Sequence, residues 1–486
     1  MRYLAQRTGT WEWLHTDLPL TVSEGPEWAL DTYGVLDATV EPEQGLAVAE
    51  DGRLLFEEWG TLIHVETGES ADRRRWSGIV AESRLRGAAW ELRIVEFPGY
   101  LANYPLETLI RGVRADPADL FRQVWQDVQS WPYSWIGVTV HGSTPVRIGS
   151  DSDDKVAQAR ATMDARKTTL DNLSKTKNAA TTALQDEAAT LADEVAQARV
   201  QVTAAQAAVN ALTEAGAPAG QIATARATVV SRQSLLQAAL TAYTNEVNAG
   251  KAAARTARTN VDAARTAYQQ AQDAYRAAQD QAKADGGAYE IRAEDLVEAK
   301  KAVSDLCRAS GMEWTTRTRF TDGPPEFEIH VHYPRAGGRR DDLVFEQGIN
   351  VISELDLATD GDEYANAGIG VGAGEGNAAV RRSISTSSPR LRRPVVVEDK
   401  ALRTPSAMDA ALRYELRRRS GEPYVSSIEV IDHPNAPLFS WQVGDFITVK
   451  GHTPHYGEHR GLYRIISWRL KGEHKAVLDL APASRY

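Results

Sequence analysis

Residues 151–286 differ in composition from the rest of the chain, and this difference constrains the fold more than any other feature of the sequence. The segment contains 40 alanines, a single proline and no Trp, Phe, His or Cys, whereas all 12 tryptophans lie outside it. Alanine is the best helix former, and Gln, Arg, Lys and Glu follow it closely. The sequence therefore predicts a long helical segment inserted into a chain of a different structural class.

Large apolar residues recur at spacings of seven within this segment, and the register shifts by four in each half. Before the proline these residues are Val156, Met163, Leu170, Leu184, Leu191, Val195, Val202 and Val209. After it they are Ile222, Val229, Leu236, Tyr243, Leu240, Val247, Ala254, Val261, Tyr268, Tyr275 and Ala282. Sustained heptads with four-residue shifts are typical of a coiled coil with stutters.

A helix stop lies between Glu214 and Gln221, where two glycines and Pro218 separate arms of nearly equal length, 156–212 and 222–282. We therefore predict an antiparallel hairpin about 90 Å long, from the helical rise per residue. Glu214, Pro218 and Gln221, at the tip of this hairpin, are candidate partner contacts. A flexible Ala/Gln-rich spacer is the alternative, and the heptads favour the hairpin. Alanine buries little apolar area, so the hairpin is expected to need further copies beside it.

The flanking sequence is mainly β with a few helices. Period-two alternation predicts two strands, Trp76–Leu85 and Ala88–Phe97, joined by a turn at Gly87. Asp116 and Thr404 each precede a proline, which is the pattern of a helix N-cap followed by proline at the first helical position. Both flanks are therefore expected to fold into sheets that carry a few helices.

The chain after the insertion continues an arrangement that begins before it. Glu294–Ser310 has the apolar spacing of a helix, and two strands follow, so this run completes an α+β unit whose first part precedes the insertion. Gly368–Gly376 reads as a glycine-rich strand with bulges or a close backbone approach. The C-terminal tail predicts three strands of a small antiparallel barrel, with a loop at Gly451–Gly461.

These patterns predict an α+β chain: mainly antiparallel β-barrel or β-sheet domains with an inserted long antiparallel α-helical coiled-coil hairpin. The expected domains are an N-terminal β domain over 1–110, an α+β domain over 111–150 and 287–342 that the insertion splits, the Ala-rich hairpin over 151–286, and a C-terminal β-barrel-like domain over 343–486.

Charge and cysteine content narrow the classes of function. The net charge is −11 at pH 7, which argues against a sequence-nonspecific DNA binder but fits a passage through which DNA slides without sticking. The only cysteine is Cys307, so neither an intrachain disulfide nor a cysteine-based metal site is expected. No apolar leader or membrane-length apolar run is visible, which favours synthesis and folding in a cytoplasm.

Two segments superficially suggest a ligand site. Gly368–Gly376 suggests a dinucleotide loop, but it lacks the following helix and the βαβ context that the fingerprint needs. His452, His455 and His459 with Glu458 could hold a metal, but a solvated loop is favoured. Motifs of hydrolases and nucleotide-binding loops are missing. We therefore expect no catalytic residues, no cofactor and no metal.

Several short motifs follow one another in a definite order along the chain outside the insertion. An aromatic-Gly strand pairs with a strand ending in Phe-x-x-Tyr-Leu, and a Gly-Asp turn later precedes a Tyr-Arg-Ile strand. The motif residues are Trp76, Gly78, Phe97, Tyr100, Gly444, Asp445, Tyr463, Arg464 and Ile465. Over residues 1–150 and 290–486 the chain resembles the tail hub, or minor tail, proteins of long-tailed actinobacteriophages, the baseplate-hub family. The hairpin departs from that compact pattern.

This resemblance implies a virion structural protein at the distal end of the tail of a siphophage, made in the host cytoplasm. It implies a homotrimer that closes or narrows the tail tube and opens for ejection of the phage DNA, which contacts the protein only in transit. The implied partners are the distal tail ring protein, the tape-measure protein and other minor tail or receptor-binding proteins.

Two alternatives from other classes stay open. One is a cell-surface or tail-fibre-like adhesin with a coiled-coil stalk, which the mid-domain position of the hairpin disfavours. The other is a tail-associated cell-wall hydrolase, which would need a pair of carboxylates about 5–10 Å apart in a cleft.

Overall fold

The N-terminal part of the chain forms an antiparallel sheet. The computed structural model describes residues 1–67, 74–319, 323–358, 361, 364–373, 379–399, 402–453 and 457–486. The elements here are β1 (Arg2–Arg7), β2 (Trp13–His15), β3 (Glu27–Ala29), β4 (Val35–Val40), α1 (Pro42–Gly45), β5 (Thr61–Thr67), β6 (Arg74–Arg86), β7 (Ala89–Glu96) and a 3₁₀ turn at Phe97–Leu101. The strand order in the sheet is β2-β1-β5-β6-β7-β4.

The strand pair predicted around Gly87 is confirmed. β6 and β7 pair antiparallel, and Gly87 lies between them with φ +62°, a left-handed conformation that glycine adopts without strain. A register shift between Val80 and Glu82 marks a bulge in β6. The alternation that predicted the strands thus continues over nearly the whole pair.

The middle of the chain joins segments from both sides of the insertion. Before it lie β8 (Ile110–Gly112), α2 (Pro117–Gln129) and β9 (Val138–His141); after it lie β10 (Tyr289–Ile291), a 3₁₀ turn at Ala293–Asp295, α5 (Ala299–Ser310), β11 (Glu313–Arg319) and β12 (Glu326–His332). β8 pairs with β10, and the sheet order β11-β12-β9 places β9 parallel to β12. The Asp116 side chain accepts a hydrogen bond from the Ala118 N–H, so the predicted N-cap is confirmed.

The helix predicted from Glu294 begins later than expected. Leu296 adopts φ +44°, which ends the short 3₁₀ turn before it. The Val297 carbonyl then accepts a hydrogen bond from the Leu106 N–H instead of continuing a helix. α5 therefore starts only at Ala299, because the preceding backbone is bonded to another part of the chain.

The insertion is a pair of long helices, α3 (Ser152–Glu214) and α4 (Ala219–Asp285). The chain divides into two compact units, Met1–Asp151 with Ala282–Tyr486 and, separately, Ser152–Gln281. Within the second unit, Arg232 donates to Gln201 at 2.8 Å and the Leu184 side chain lies against Gly250, so the helices run antiparallel.

The heptad positions are the sheltered positions of the two helices. Every apolar residue assigned to a register is buried or half-buried. Among the large apolar residues outside the registers, Val200, Val230 and Leu235 are exposed, whereas Leu173 and Leu212 are half-buried. The helical pair is thus confirmed, whereas supercoiling of the two helices stays a prediction, as do the domain boundaries at 110 and 342.

We expect the first unit to fold without the second. Ser150 donates from its N–H to the Gly287 carbonyl at 2.7 Å and from its hydroxyl to Asp285 at 2.8 Å, so both ends of the excised segment are held together. A variant with Ser152–Gln281 replaced by a short Gly/Ser linker should keep one cooperative thermal transition in tryptophan fluorescence, which reports only on the first unit. A broad transition without a folded baseline would contradict an independent first unit.

The described residues of the C-terminal part form two main sheets and one α-helix. Its elements are β13 (Phe345–Glu346), β14 (Leu357–Ala358), β15 (Ala367–Val371), β16 (Arg381–Ser385), β17 (Pro394–Glu398), α6 (Pro405–Arg418), β18 (Tyr424–Val425), β19 (Ser427–Ile431), β20 (Phe446–Thr453), β21 (Gly457–Leu470), β22 (Lys475–Pro482) and a 3₁₀ turn at Ala483–Arg485. The larger sheet has the order β13-β20-β21-β22-β19, and the smaller has β16-β15-β17. Closure into a barrel stays a prediction.

The glycine-rich stretch is a strand packed closely against a helix. A Cβ on Gly370 would lie 2.2 Å from the Met408 sulfur, and one on Gly368 would lie 2.9 Å from Leu412, both on α6. This confirms, over 367–371, the interpretation as a strand whose backbone lies close to another element. The predicted stretch extends further, to Gly376, but residues 374–378 lie outside the described residues. The Thr404 N-cap of α6 is also confirmed, because its side chain accepts from the Ala407 N–H.

A short N-terminal strand belongs to the C-terminal sheet. β3 pairs antiparallel with β21 over Ser467–Arg469, beyond the point where β20 stops pairing with β21. The Trp28 ring stacks on Trp468 at 4.2 Å between centroids. The N-terminal and C-terminal parts of the chain are therefore interleaved in the first unit.

Candidate assembly surfaces and the buried ionic cluster

The N-terminal motif residues form part of the scaffold. Trp76 and Phe97 are buried; the Trp76 indole N–H donates to the Glu27 carbonyl at 2.8 Å, and Phe97 stacks on Phe327 at 4.6 Å. A Cβ on Gly78 would lie 2.5 Å from the Trp76 ring and 2.6 Å from a backbone oxygen, so only glycine fits there. Tyr100 is half-buried and reaches the protein surface.

The C-terminal motif residues form a tight turn against residues 336–340. Gly444 has φ +90°, and a Cβ there would lie 2.8 Å from the Ala336 backbone. Asp445 accepts from the Gly338 N–H at 2.9 Å and from the Gln442 N–H at 3.1 Å. Both residues thus fix the position of a loop that follows β12.

Arg464 is the centre of a fully buried ion pair. Its guanidinium donates to both carboxylate oxygens of Glu313, at 2.6 and 2.5 Å, and to the carbonyls of Ala336 at 2.9 Å and Gly444 at 3.1 Å. Its neighbours Tyr463 and Ile465 are also buried. The pair joins β21 to β11, and two-point geometry makes it directional.

Two carboxyls, of the buried Glu96 and the half-buried Asp31, flank this pair and hold β11. Asp31 accepts from the Trp314 N–H at 2.7 Å, and Glu96 accepts from the Thr316 hydroxyl at 2.5 Å. Burial raises the pKa of Asp31 to about 7, with Glu313 adding to the rise. Burial likewise raises the pKa of Glu96 to about 7. We call Asp31, Glu96, Glu313, Arg418 and Arg464 the buried ionic cluster, in which Asp31 and Arg418 are half-buried and the other three are buried. The Arg418 charge lowers the pKa of Asp31 in part.

A group of aromatic side chains lies at one region of the surface of the first unit; five are exposed and two, Trp11 and Tyr100, are half-buried. We call it the aromatic surface: Trp11, Trp13, Trp59, Tyr100, Trp131, Tyr133 and Trp135. Ring contacts join Trp11 to Trp135 at 5.6 Å and Trp59 to Tyr100 at 6.2 Å. Hydrogen bonds near Arg7 and Thr8 bring the segments of Trp11 and Trp59 together.

The exposure of these rings is unusual for their size. Trp59 is 48% exposed, Trp135 51% and Tyr133 105%. Monomeric proteins rarely leave large contiguous apolar patches in contact with water, and such patches mark sites of interaction. Tryptophan and tyrosine are also enriched at the energetic centres of protein interfaces.

Backbone strain coincides with the aromatic surface. Trp11, Trp59 and Tyr133 have φ of 62°, 58° and 67°, in the left-handed region that bulky residues rarely adopt. Such conformations cost about 1–3 kcal/mol each and cluster at functional sites. Sequence reasoning missed this surface, although the spacing Trp-x-Trp at 11–13 and Trp-x-Tyr-x-Trp at 131–135 could have drawn attention to it.

The border of the aromatic surface is acidic. Glu12 and Glu58 are exposed beside Trp11, Trp13 and Trp59. In the part of the chain that the structure describes, neither glutamate forms an ion pair. A partner with basic side chains would therefore complement this border.

The predicted tip residues Glu214, Pro218 and Gln221 lie at the connection between α3 and α4. Glu214 ends α3, and the Gln221 N–H in the first turn of α4 donates to the Pro218 carbonyl at 2.9 Å. All three side chains are exposed. The structure thus leaves them accessible, and their role as partner contacts stays a prediction.

The histidine segment is not the loop that the sequence suggested. His452 lies in β20 opposite Glu458 in β21, and His459 lies opposite Gly451, because the two strands pair almost to their ends. The His459 ring is 2.9 Å from the Tyr463 hydroxyl. His455 lies outside the described residues. Among the described residues, no group of three His, Cys, Asp or Glu could hold a metal ion.

The chain matches known proteins in structure only. No protein-family model and no curated protein matches the sequence. Among the described residues, no helix has the length and apolar character of a membrane span.

Three solved structures resemble the fold over nearly its full length. The 43 kDa tail protein of prophage MuSo2 from Shewanella oneidensis gives a TM-score of 0.44 at 8% identity, covering 100% of this chain and 99% of that chain. The prophage tail protein gp18 from Listeria monocytogenes EGD-e gives 0.42 at 8% identity, covering 99% and 95%. The tail protein from Neisseria meningitidis MC58 gives 0.42 at 9% identity, covering 100% and 98%. These three structures are tail proteins, two of them of prophages.

Proposed function

We propose that this chain is a structural subunit of a phage tail tip that acts through assembly and catalyses no reaction. In this proposal three copies form a hub that closes or narrows the tail tube. The hub links the distal tail ring and the tape-measure protein to receptor-binding proteins, and it opens for DNA ejection. The observation that carries an assembly role is the aromatic surface.

The aromatic surface has the properties of an interface that lacks its partner. A fully buried aromatic side chain covers about 150–250 Å². Because four of the five most exposed rings are only 38–51% exposed and Tyr133 is fully exposed, covering these five rings buries roughly 400–650 Å². That is about half or more of the ~800 Å² that each partner contributes to a standard interface. Three of the seven residues are held in strained backbone conformations, which persist only where the surrounding structure imposes them. These features support contact with a neighbouring subunit, whose basic side chains would meet Glu12 and Glu58.

The helical hairpin also supports a multimer. Its fully buried side chains within the second unit are few: Ser152, Val195, Val209, Val229, Val261 and Ala271. Ordering each residue of a helix costs about 1.5 kcal/mol of conformational entropy, which so small a core offsets poorly. Neighbouring hairpins would cover the half-buried heptad positions and the exposed Val200, Val230 and Leu235.

The native mass of the full chain tests the trimer. Light scattering is expected to give three times 53.2 kDa. The variant Trp59→Ser/Tyr133→Ser is expected to dissociate at the same concentration, because losing an aromatic centre of an interface costs about 2 kcal/mol or more per residue, roughly 30-fold in affinity. Leu391→Ser removes an 88% exposed apolar residue elsewhere and should leave the mass unchanged.

Two results would overturn this proposal. A wild-type mass of one chain would contradict self-assembly into a trimer. Release of soluble fragments from bacterial cell wall by the purified protein would contradict a purely structural role and would favour the hydrolase alternative.

A further inference from the structure

A groove outside the aromatic surface lies along β11. Its volume is about 480 Å³, and Trp28, Trp441 and Trp468 line it together with Arg75, Arg317 and Arg319. Residues Thr315–Arg319 of β11 also line it. The groove therefore combines apolar walls, positive charge and the backbone of one strand.

Among the strands of the described residues, none pairs with one edge of β11. In the sheet order β11-β12-β9, β11 pairs only with β12. The Trp314 N–H donates to the Asp31 side chain at 2.7 Å, and the Trp314 carbonyl accepts from the Asp31 N–H at 3.2 Å. The backbone groups of Trp314 therefore point away from β12, and those of Thr316 and Thr318 point the same way, because the direction alternates along an antiparallel strand.

The outward groups beyond Trp314 belong to residues that line the groove, of which Thr316 is half-buried and Thr318 is buried. In the described chain, the backbone N–H and C=O of Thr316 and Thr318 have no hydrogen-bond partner. Asp31 thus occupies the edge of β11 at Trp314. The N–H groups and carbonyl oxygens of Thr316 and Thr318 then remain as two donors and two acceptors. Thr315–Arg319 spans about 13 Å at the rise of a β-strand, which matches an extended segment of about five residues.

The charge of the groove selects for an acidic partner. Arg317 is exposed and, among the described residues, has no ion-pair partner. Arg75 and Arg319 lie 3.3 and 3.4 Å from Glu66 and Glu328. Arg317 is thus the one of these three arginines whose charge no ion pair among the described residues compensates, and it is the charge that the groove offers to an acidic partner.

We propose that β11 binds an extended acidic segment of a partner protein, which adds to its free edge as a further strand while its carboxylates meet Arg317 and its neighbours. Alternating backbone donors and acceptors at a fixed spacing are satisfied by another polypeptide strand. A single-stranded nucleic acid would use the arginines and tryptophans but leave these backbone groups unpaired. The free edge therefore favours a peptide.

Binding of a synthetic peptide to the full-length chain tests this site. The probe is an acetylated and amidated peptide that alternates Glu and Val over seven residues, followed by calorimetry and by tryptophan fluorescence. We expect binding that weakens with salt and that falls roughly tenfold in Arg317→Glu, because a charge of the opposite sign then faces the peptide. Arg339→Glu reverses an exposed charge outside the groove and should leave the affinity unchanged.

Two further probes separate strand addition from charge attraction alone. The same peptide with alternate amide nitrogens methylated keeps its charge but loses the donors that face β11, so it is expected not to bind. An oligothymidine is also expected not to bind. Equal binding of the methylated peptide, an unchanged affinity in Arg317→Glu, or displacement of the peptide by oligothymidine would each overturn the proposal. None of these results depends on the oligomeric state, so they are distinguishable from a failure of the trimer.

Discussion

Replacing Arg464 with methionine is expected to lower the free energy of unfolding of the first unit by about 3–5 kcal/mol, because it leaves a buried carboxylate without its partner. Arg464 is fully buried and contacts both oxygens of Glu313. Urea denaturation followed by tryptophan fluorescence measures this change, since all tryptophans lie in the first unit.

Two controls show whether the effect comes from the unpaired charge. The double variant Arg464→Met/Glu313→Met removes both charges and should be more stable than the single variant. Arg339→Met breaks an ion pair whose two side chains are exposed, and it should cost no more than about 1 kcal/mol. A loss below about 1 kcal/mol in Arg464→Met would contradict the structural role assigned to the pair.

The carboxyls of Asp31 and Glu96 are expected to make the first unit less stable as the pH rises from about 4 to about 7. Each has a pKa raised to about 7 in the folded protein, from 3.8 and 4.5 respectively. The folded state then binds more protons than the unfolded state in this range, so the free energy of unfolding falls with rising pH. Above about pH 7 the full effect is present.

The double variant Asp31→Asn/Glu96→Gln isolates this contribution. The amides keep an oxygen acceptor for Trp314 and Gly34 but do not ionise. Relative to wild type, the variant should gain about 2–4 kcal/mol of stability between pH 4.5 and pH 8. This lies below the roughly 8 kcal/mol that the two pKa rises, to about 7 from 3.8 and 4.5, set together as an upper bound. His64, whose pKa is lowered to about 3 by burial, acts in the opposite direction but is common to both proteins.

Denaturation at each pH measures the difference between the two proteins. The substitution Glu41→Gln, at an exposed carboxyl, serves as the matched control. A difference between wild type and the double variant that stays constant from pH 4.5 to pH 8 would show that the two carboxyls do not titrate as their burial requires.

Local signals made much of the fold predictable. The helical pair follows from alanine content and heptads, and its ends match the stop at 214–221 within a few residues. The caps at Asp116 and Thr404 are recognisable because a side-chain oxygen and a following proline act within one turn. The strands around Gly87 follow from alternation over more than ten residues.

Long-range pairing could not be read from the sequence. β3 has three residues, too few to show alternation, and its place beside β21 depends on contacts more than 400 positions away. The buried ionic cluster likewise gathers residues from 31 to 464, each of which looks like an ordinary surface charge in its local sequence. The free edge of β11 depends on which strands pair, and the local sequence does not specify this.

The candidate surfaces were harder to predict than the scaffold. Tryptophan is as typical of a core as of an interface, so Trp59 and Trp76 look alike in sequence, yet one is 48% and the other 1% exposed. The left-handed backbone at Trp11, Trp59 and Tyr133 has no sequence signature, because tertiary contacts impose it. The sequence favoured a loop for the segment of His452 and His459 because it is rich in glycine and proline. The pairing of β20 with β21, which places both histidines in strands, leaves no local signal in the sequence.

The adjacent ends of the helical hairpin allow its length to vary independently of the rest of the chain. Facing residues such as Gln201 and Arg232 are equidistant from the turn, so removing seven residues from each helix on the same level shortens the hairpin by about 10 Å while the remaining heptads stay in register. The anchoring contacts of Ser150 with Asp285 and Gly287 are untouched by such a change. The insertion can thus serve as a spacer whose length changes in steps of one heptad in each helix.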